Sequence, residues 1–181
     1  MPMCVFIATV LIVLAGSVHA QGRWATTDSG CRVWLDHPRP QQTVTWSGDC
    51  QAGDMADGKG TLVRTFVENG VRFESRYNGR IREGVMSGSG DLSFANGDIF
   101  EGRFHDGLRS GGGVYSWSNG NRYKGDFSED TMNGKGEFVW ANGDRYVGQF
   151  RDGTLNGSGQ YTWANGNTYS GEFLDGRPAD R

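Results

Sequence analysis

From residue 77 onward apolar and polar positions alternate, and the alternation restarts every 23 residues. Tyr77, Phe100, Tyr123, Tyr146 and Tyr169 open successive units. With each of these as slot 0, rings return at slot 4 (Phe104, Phe127, Phe150 and Phe173, with Ile81 in the first unit). They return again at slot 15 (Tyr115, Phe138 and Tyr161, with Leu92 in the first) and at slot 17 (Phe94, Trp117, Trp140 and Trp163). Successive side chains of a strand point to opposite sides, so slots 0, 2 and 4 share one strand face and slots 11, 13, 15 and 17 share another. Each unit is therefore predicted to be a β-hairpin with all its rings on one side.

Parity also predicts the loops. If Phe150 faces Gly159 and Tyr146 faces Trp163, the four residues Gly153 to Asn156 close the hairpin. Between units, Ala164-Asn165-Gly166 reads as a three-residue loop with the glycine left-handed. A two-residue Asn-Gly turn would throw Tyr169 to the face opposite Trp163 and is rejected. The expected architecture is all-β: an elongated single antiparallel sheet of tandem 23-residue hairpins, with the strand Tyr169 to Phe173 left as an open edge.

Glycine makes up 30 of the 181 residues, and from Gly79 to Gly176 all but Gly112 stand in slots 2, 7, 11, 13 and 20. Slots 7 and 20 read as turn glycines. Slots 2, 11 and 13 read as positions over which a ring can lie, with the slot-4 ring facing the slot-13 glycine. A looser copy starts at Trp46 and runs through Gly48, Cys50, Gly58, Gly60, Phe66 and Asn69-Gly70, which makes about six units in all.

The pattern resembles the MORN repeat, whose unit reads roughly YxGxFxxGxxxGxGxYxWxNGxx, and the stretch YVGQFRDGTLNGSGQYTWANGNT from Tyr146 to Thr168 carries it almost letter for letter. The resemblance covers Trp46 to Gly176. The stretch from Cys31 to Cys50 is similar to the amino-terminal cap of secreted bacterial MORN proteins. The family implies an interaction protein, a homodimer formed through the carboxyl-terminal sheet edge, and contact with membranes or phosphoinositides. The basic residues the family often places between slots 7 and 11 are reduced here to Arg109.

Cys4 to Ala15 is a short apolar run followed by Val18-His19-Ala20, the pattern of a signal peptide cut after Ala20. The expected location is secreted or periplasmic. The expected division is residues 1–20 as signal, 21–45 as an amino-terminal cap, 46–176 as the repeat domain and 177–181 as a tail. Removing the signal removes Cys4 and leaves Cys31 and Cys50 in an oxidising compartment, so one disulfide is predicted. It would be worth about 3 kcal/mol by loop closure. Cys31, Val33 and Leu35 have the parity to pair with Cys50, Gly48 and Trp46. The disulfide would then take the place of a slot-4 ring and fasten a capping strand.

With 18 Lys+Arg against 21 Asp+Glu, the net charge of -3 argues against a nucleic-acid partner. Beyond the signal only His37 and His105 remain, in different units, so neither a metal pair nor a nucleophile triad is read and no cofactor is expected. Gly88-Ser89-Gly90 lacks the following helix that a phosphate loop needs. The expected function is a non-catalytic, exported scaffold for a protein partner. The alternative is binding of glycans or anionic lipid headgroups. The candidate partner face is Trp117, Trp140, Trp163, Tyr123, Tyr146 and Tyr169. The candidate headgroup patch is Arg80, Arg82 and Arg103 on the opposite face.

Overall fold

A computed structural model describes residues 22–51 and 54–179; the expected signal peptide lies outside the described residues. Fifteen strands make one open, mixed sheet. They are β1 Arg23–Thr26, β2 Arg32–Leu35, β3 Thr43–Trp46, β4 Asp49–Gln51, β5 Met55–Glu68, β6 Val71–Arg82, β7 Val85–Ser93 and β8 Ile99–His105. The rest are β9 Leu108–Ser116, β10 Arg122–Ser128, β11 Thr131–Val139, β12 Arg145–Arg151, β13 Thr154–Thr162, β14 Thr168–Leu174 and β15 Arg177–Pro178. From β5 onward each strand pairs antiparallel with the next, which is the expected meander of hairpins.

The loop between units follows the parity argument. Trp163 N–H donates to the Asn167 carbonyl at 2.9 Å across Ala164-Asn165-Gly166, Gly166 has φ +87°, and Tyr169 faces Tyr161 on the ring side. The loop within a unit does not. Arg151 faces Thr154 around a two-residue Asp152-Gly153 turn, with φ of 49° and 81°, so the turn is of the type I′ that matches strand twist. Phe150 faces Leu155 rather than Gly159, and Tyr146 faces Tyr161 rather than Trp163. Between the pairs Gly148–Gly159 and Phe150–Leu155, the single residue Gln149 stands against three, Asn156 to Ser158. This bulge shifts the register by two residues, and a shift of two leaves every side chain on its predicted face.

The bulge redefines the glycines. The slot-11 residues Gly88, Gly111, Gly134 and Gly157 have φ between +70° and +104° and serve the bulge, with no ring over them. The rings lie instead over slots 2 and 13, and the ring that covers them is slot 0, not slot 4. A Cβ added at Gly148 or Gly159 would stand 2.4 or 2.2 Å from the Tyr146 hydroxyl. Phe100 covers Gly102 and Gly113 in the same way, and Trp46 covers Gly48 and Gly60. Tyr77, Tyr123 and Tyr146 then donate their hydroxyls to the carbonyls of Arg80, Asp126 and Gln149, the residues at the bulge, at 2.8, 3.0 and 3.1 Å. Phe100 has no hydroxyl to donate.

Hairpins are stitched by their turns. The N–H groups of Gly107, Gly153 and Gly176 donate to the carbonyls of Met86, Met132 and Leu155 of the preceding unit, each at 3.0 Å. Asp130, which holds the glycine slot with φ +67°, makes the same bond to Arg109 at 3.1 Å. At the carboxyl end the Asp175-Gly176 turn folds β15 back onto Phe173 and Leu174, so the edge expected to be open is covered at that end, where Pro178 offers no N–H.

The cap differs from its expected pairing. The long β5 takes β3 and β4 as partners, with Trp46 facing Leu62 and Cys50 facing Ala56, and this leaves no edge there for β2. β2 pairs with β1, touches β5 through one parallel contact between Arg32 and Met55, and bonds from Trp34 N–H to the Gly84 carbonyl at 2.8 Å. The Cys31–Cys50 disulfide is present with Cα atoms 5.6 Å apart. Cys31 is buried and Cys50 exposed, so the bond ties the cap to β4 at the surface and does not replace a slot-4 ring.

Two adjacent glycines separate packing from backbone freedom. A Cβ at Gly113 would meet the Phe100 ring at 2.5 Å, whereas Gly112 has nothing within 4 Å. Gly113→Ala is expected to lower stability by about 1–3 kcal/mol through overpacking. Gly112→Ala is expected to be neutral or to raise stability by a few tenths to ~1 kcal/mol. Denaturant titration of both variants checks this; equal losses would show that the ring contact is not the constraint.

Candidate functional site

The ring face contains two columns. Slots 0 and 4 form an edge-to-face zigzag from Tyr77 through Phe104, Phe100, Phe127, Tyr123, Phe150, Tyr146 and Phe173 to Tyr169, with interplanar angles of 78–89°. This geometry is the favourable one for the ring quadrupoles. It is a core: Tyr123 and Tyr146 are 0% exposed, so these two members of the predicted partner face present no surface to a partner. Lying flat over glycines and walled by neighbouring rings, they are enclosed by the sheet itself.

Slots 15 and 17 form the second column, a tilted stack. Centroids run from Tyr115 to Trp117 at 4.4 Å, to Phe138 at 5.2 Å, to Trp140 at 4.5 Å, to Tyr161 at 5.2 Å and to Trp163 at 4.9 Å. Trp117 and Trp140 are half-buried and Trp163 is 36% exposed. Tyr169 is half-buried beside Phe173 in the first column. The structure thus brings Trp117, Trp140 and Trp163 into one stripe and separates Tyr123 and Tyr146 from it.

Carboxylates hold the stripe from below. Asp98 accepts the Tyr115 hydroxyl at 2.8 Å and Ser118 N–H at 2.9 Å; Asp144 accepts the Tyr161 hydroxyl at 2.7 Å and Ala164 N–H at 2.8 Å. Between them Asn121 accepts Ala141 N–H at 2.9 Å, and the ring of the next unit is Phe138, which needs no acceptor. Slot 21 thus carries Asp where the next unit has Tyr and Asn where it has Phe. That correlation lies within the sequence and could have located these pairs. Burial acts to raise the Asp98 carboxyl, but hydrogen bonds from Ser118, Tyr115 and Asn96 together outweigh it and hold it below the usual carboxylate range. The Tyr161 hydroxyl is the main cause that lowers Asp144, with Ala164 N–H next. Burial pushes the Tyr77, Tyr123 and Tyr161 phenols up to about 12.

A second coupled departure joins Arg109 to Asp130. Arg109 Nε donates to the Asp130 carboxylate at 2.8 Å, Arg109 N–H donates to the same oxygen at 2.9 Å, and Nη2 donates to the Asp130 carbonyl at 2.8 Å. The guanidinium lies over Phe100, Tyr115 and Phe127 at 5.7, 5.1 and 5.6 Å. The charge in the loop is therefore spent on the ring face of its own sheet.

Arg80, Arg82 and Arg103 are exposed on the opposite face. Lys59 faces Arg80 across β5 and β6, a neighbour that the irregular first unit concealed. Asp91 faces Glu101 one pair away, which limits the local charge. Among the described residues no group of three or more His, Cys, Asp or Glu is placed to hold a metal ion.

The fold and its stripe define the class: an open sheet of tandem β-hairpins whose rings all lie on one side. The MORN repeat family matches four consecutive units, residues 77–99, 100–122, 123–145 and 146–168, and the chain belongs to that family. No curated protein matches it. MORN repeats generally occur in proteins that act through protein or membrane interactions.

The titrating groups predict the pH limits. A carboxyl depressed in the fold contributes stability above its ordinary titration range and loses it as the pH falls through the depressed range. Asp98→Asn is expected to cost about 1–2 kcal/mol at neutral pH, with the gap to wild type closing in acid. A raised phenol acts in the opposite sense. Its contribution is full below its ordinary pKa of about 10 and is lost as the pH rises towards about 12. Urea melts across the pH range, with phenolate absorbance at the alkaline end, check both; a constant gap for Asp98→Asn would remove the carboxylate's role.

Proposed function

We propose that this chain is an exported, non-catalytic scaffold that holds a protein partner along the stripe from Tyr115 to Trp163. The observation that carries the reading is the continuous second ring column. It crosses three units in contacts of 4.4–5.2 Å, with Tyr115 buried and the rings from Trp117 to Trp163 half-buried or exposed, while the cap bonds to the first repeats. A long, rigid aromatic strip flanked by polar loops suits a protein surface, where aromatic side chains concentrate binding energy. A sugar ring needs an open aromatic face to stack on. Trp117 and Trp140 each have a ring on both sides. Export is supported by the signal-like first twenty residues and by the single disulfide.

Lys59 beside Arg80 supports a second reading, in which the outer face meets anionic headgroups. The two readings separate cleanly. Immobilised protein is expected to retain a protein ligand from envelope extracts, with retention falling at least about tenfold in Trp140→Ala/Trp163→Ala. Retention should be unchanged in Arg80→Ser/Arg82→Ser. Capture that ignores the tryptophans would sink the stripe. Sedimentation with anionic vesicles that depends on Arg80 and Arg82 would move the function to the outer face.

A further inference from the structure

Between the cap and the first repeats lies a cavity of about 280 Å³ on the ring face. Its sheet side is apolar, with Leu62, Tyr77 and Ile81 buried. Its one charged strand residue is Arg64. Arg64 breaks the repeat. Leu62 faces Tyr77 as Leu92 faces Phe100 and Tyr161 faces Tyr169, so residue 64 occupies the slot filled by Phe94, Trp117, Trp140 and Trp163 in later units. A guanidinium has taken the place of a stacked ring.

That guanidinium is poorly served by the protein. Its Nη2 donates to the His37 carbonyl, but Nε is buried and has no partner. A buried donor without an acceptor is costly, and a charged one more so. Arg39 reaches in from the cap, and both guanidinium carbons lie 5.5 Å from the Phe66 ring. Burial and then the Arg39 charge lower the Arg64 pKa. Of the carboxylates nearby, Glu68 meets Arg39 at the exposed rim at 3.6 Å, and Asp36, on the cap side of the cavity, accepts Trp34 Nε1–H at 2.9 Å. Two cations stack on one ring at the mouth of the cavity, and although Glu68 meets Arg39 and Asp36 lines the same cavity, no carboxylate reaches the Arg64 guanidinium.

We propose that this cavity binds a small organic carboxylate, its charged end held by Arg64 and Arg39 and its apolar body against Phe66, Phe94 and Tyr77. The planar guanidinium fork matches a carboxylate, and the apolar lining selects an acid with a hydrocarbon or aromatic tail over a bare anion. The volume suits a ligand at the small end of the pocket range. This site is separate from the stripe, so either can fail alone.

Isothermal titration of the purified protein with 3-phenylpropanoate, octanoate, 3-phenylpropanol and inorganic phosphate tests it. At least one of the two acids is expected to bind, with the alcohol and inorganic phosphate each at least about tenfold weaker than that acid, the loss of one charge-assisted hydrogen bond. Arg64→Met keeps the stem and removes the charge. It is expected to abolish the preference for acid over alcohol while leaving the melting temperature equal or higher, because an unsatisfied buried donor is gone. Arg39→Gln, at the exposed rim, is expected to weaken the acid severalfold and leave the alcohol unchanged. Failure of both acids to bind, equal binding of acid and alcohol, phosphate as tight as the acids, or an unaltered preference in Arg64→Met would each overturn the proposal.

Discussion

In each unit up to the one opened by Tyr146, one ring lies flat over two glycines that face each other across the hairpin, and the geometry of the sheet follows from that contact. The pair at slots 2 and 13 gives up two side chains so that the slot-0 ring can rest on bare backbone; at Tyr146 its hydroxyl would be 2.2–2.4 Å from any Cβ placed there. Glycine in a strand is unfavourable by roughly 0.5–1 kcal/mol relative to alanine, and a buried ring edge-to-face with two others offsets it. A single sheet ordinarily cannot bury large side chains. Here Phe100, Tyr123 and Tyr146 reach zero exposure because they are laid down against their own strands.

The bulge serves the same contact. It sets three residues against one at Asp126 and Gln149, and two extra residues beside Arg80 in the first unit, and the tyrosine hydroxyl ends at the carbonyl of each of these residues. Ring, glycine pair, bulge and turn form one unit whose bonds reach only the next unit, through the turn N–H and the slot-9 carbonyl. Stability in such an array accumulates from neighbour to neighbour. Departures from the repeat are then informative, because a change in one unit is answered in the adjacent one. Asp130 is met by Arg109, the Asp at slot 21 by the next Tyr, and the Asn by the next Phe.

The ends of the sheet are handled differently. At the carboxyl end a two-residue strand with proline covers part of the edge. At the amino end the cap crosses onto the ring face, where its buried Val33 and Leu35 join the core. That crossing creates the half-open cavity beside Arg64. Later units carry half-buried or exposed rings at slot 17 as a stripe, whereas the first unit sets a half-buried arginine at that slot beside the cap. The molecule thus has two chemically distinct regions on one face.

A large part of this was legible in the residues themselves. The period of 23, the common face of the rings, the three-residue loop ending in Gly166, the pairing of Cys31 with Cys50 and the outward direction of Arg80, Arg82 and Arg103 follow from parity and count, which act over a few residues. Parity cannot distinguish a register from one shifted by two. The Asp152-Gly153 turn is a local type I′ signal that parity passes over, whereas the bulge at Gln149 and the choice of Tyr146 over Phe150 to cover the glycines came from tertiary packing. Burial of Tyr123 and Tyr146, the path of the cap and the unpartnered Nε of Arg64 depend on which segments meet across the sheet. Local alternation determines the face a side chain takes; only the folded neighbours determine what covers it.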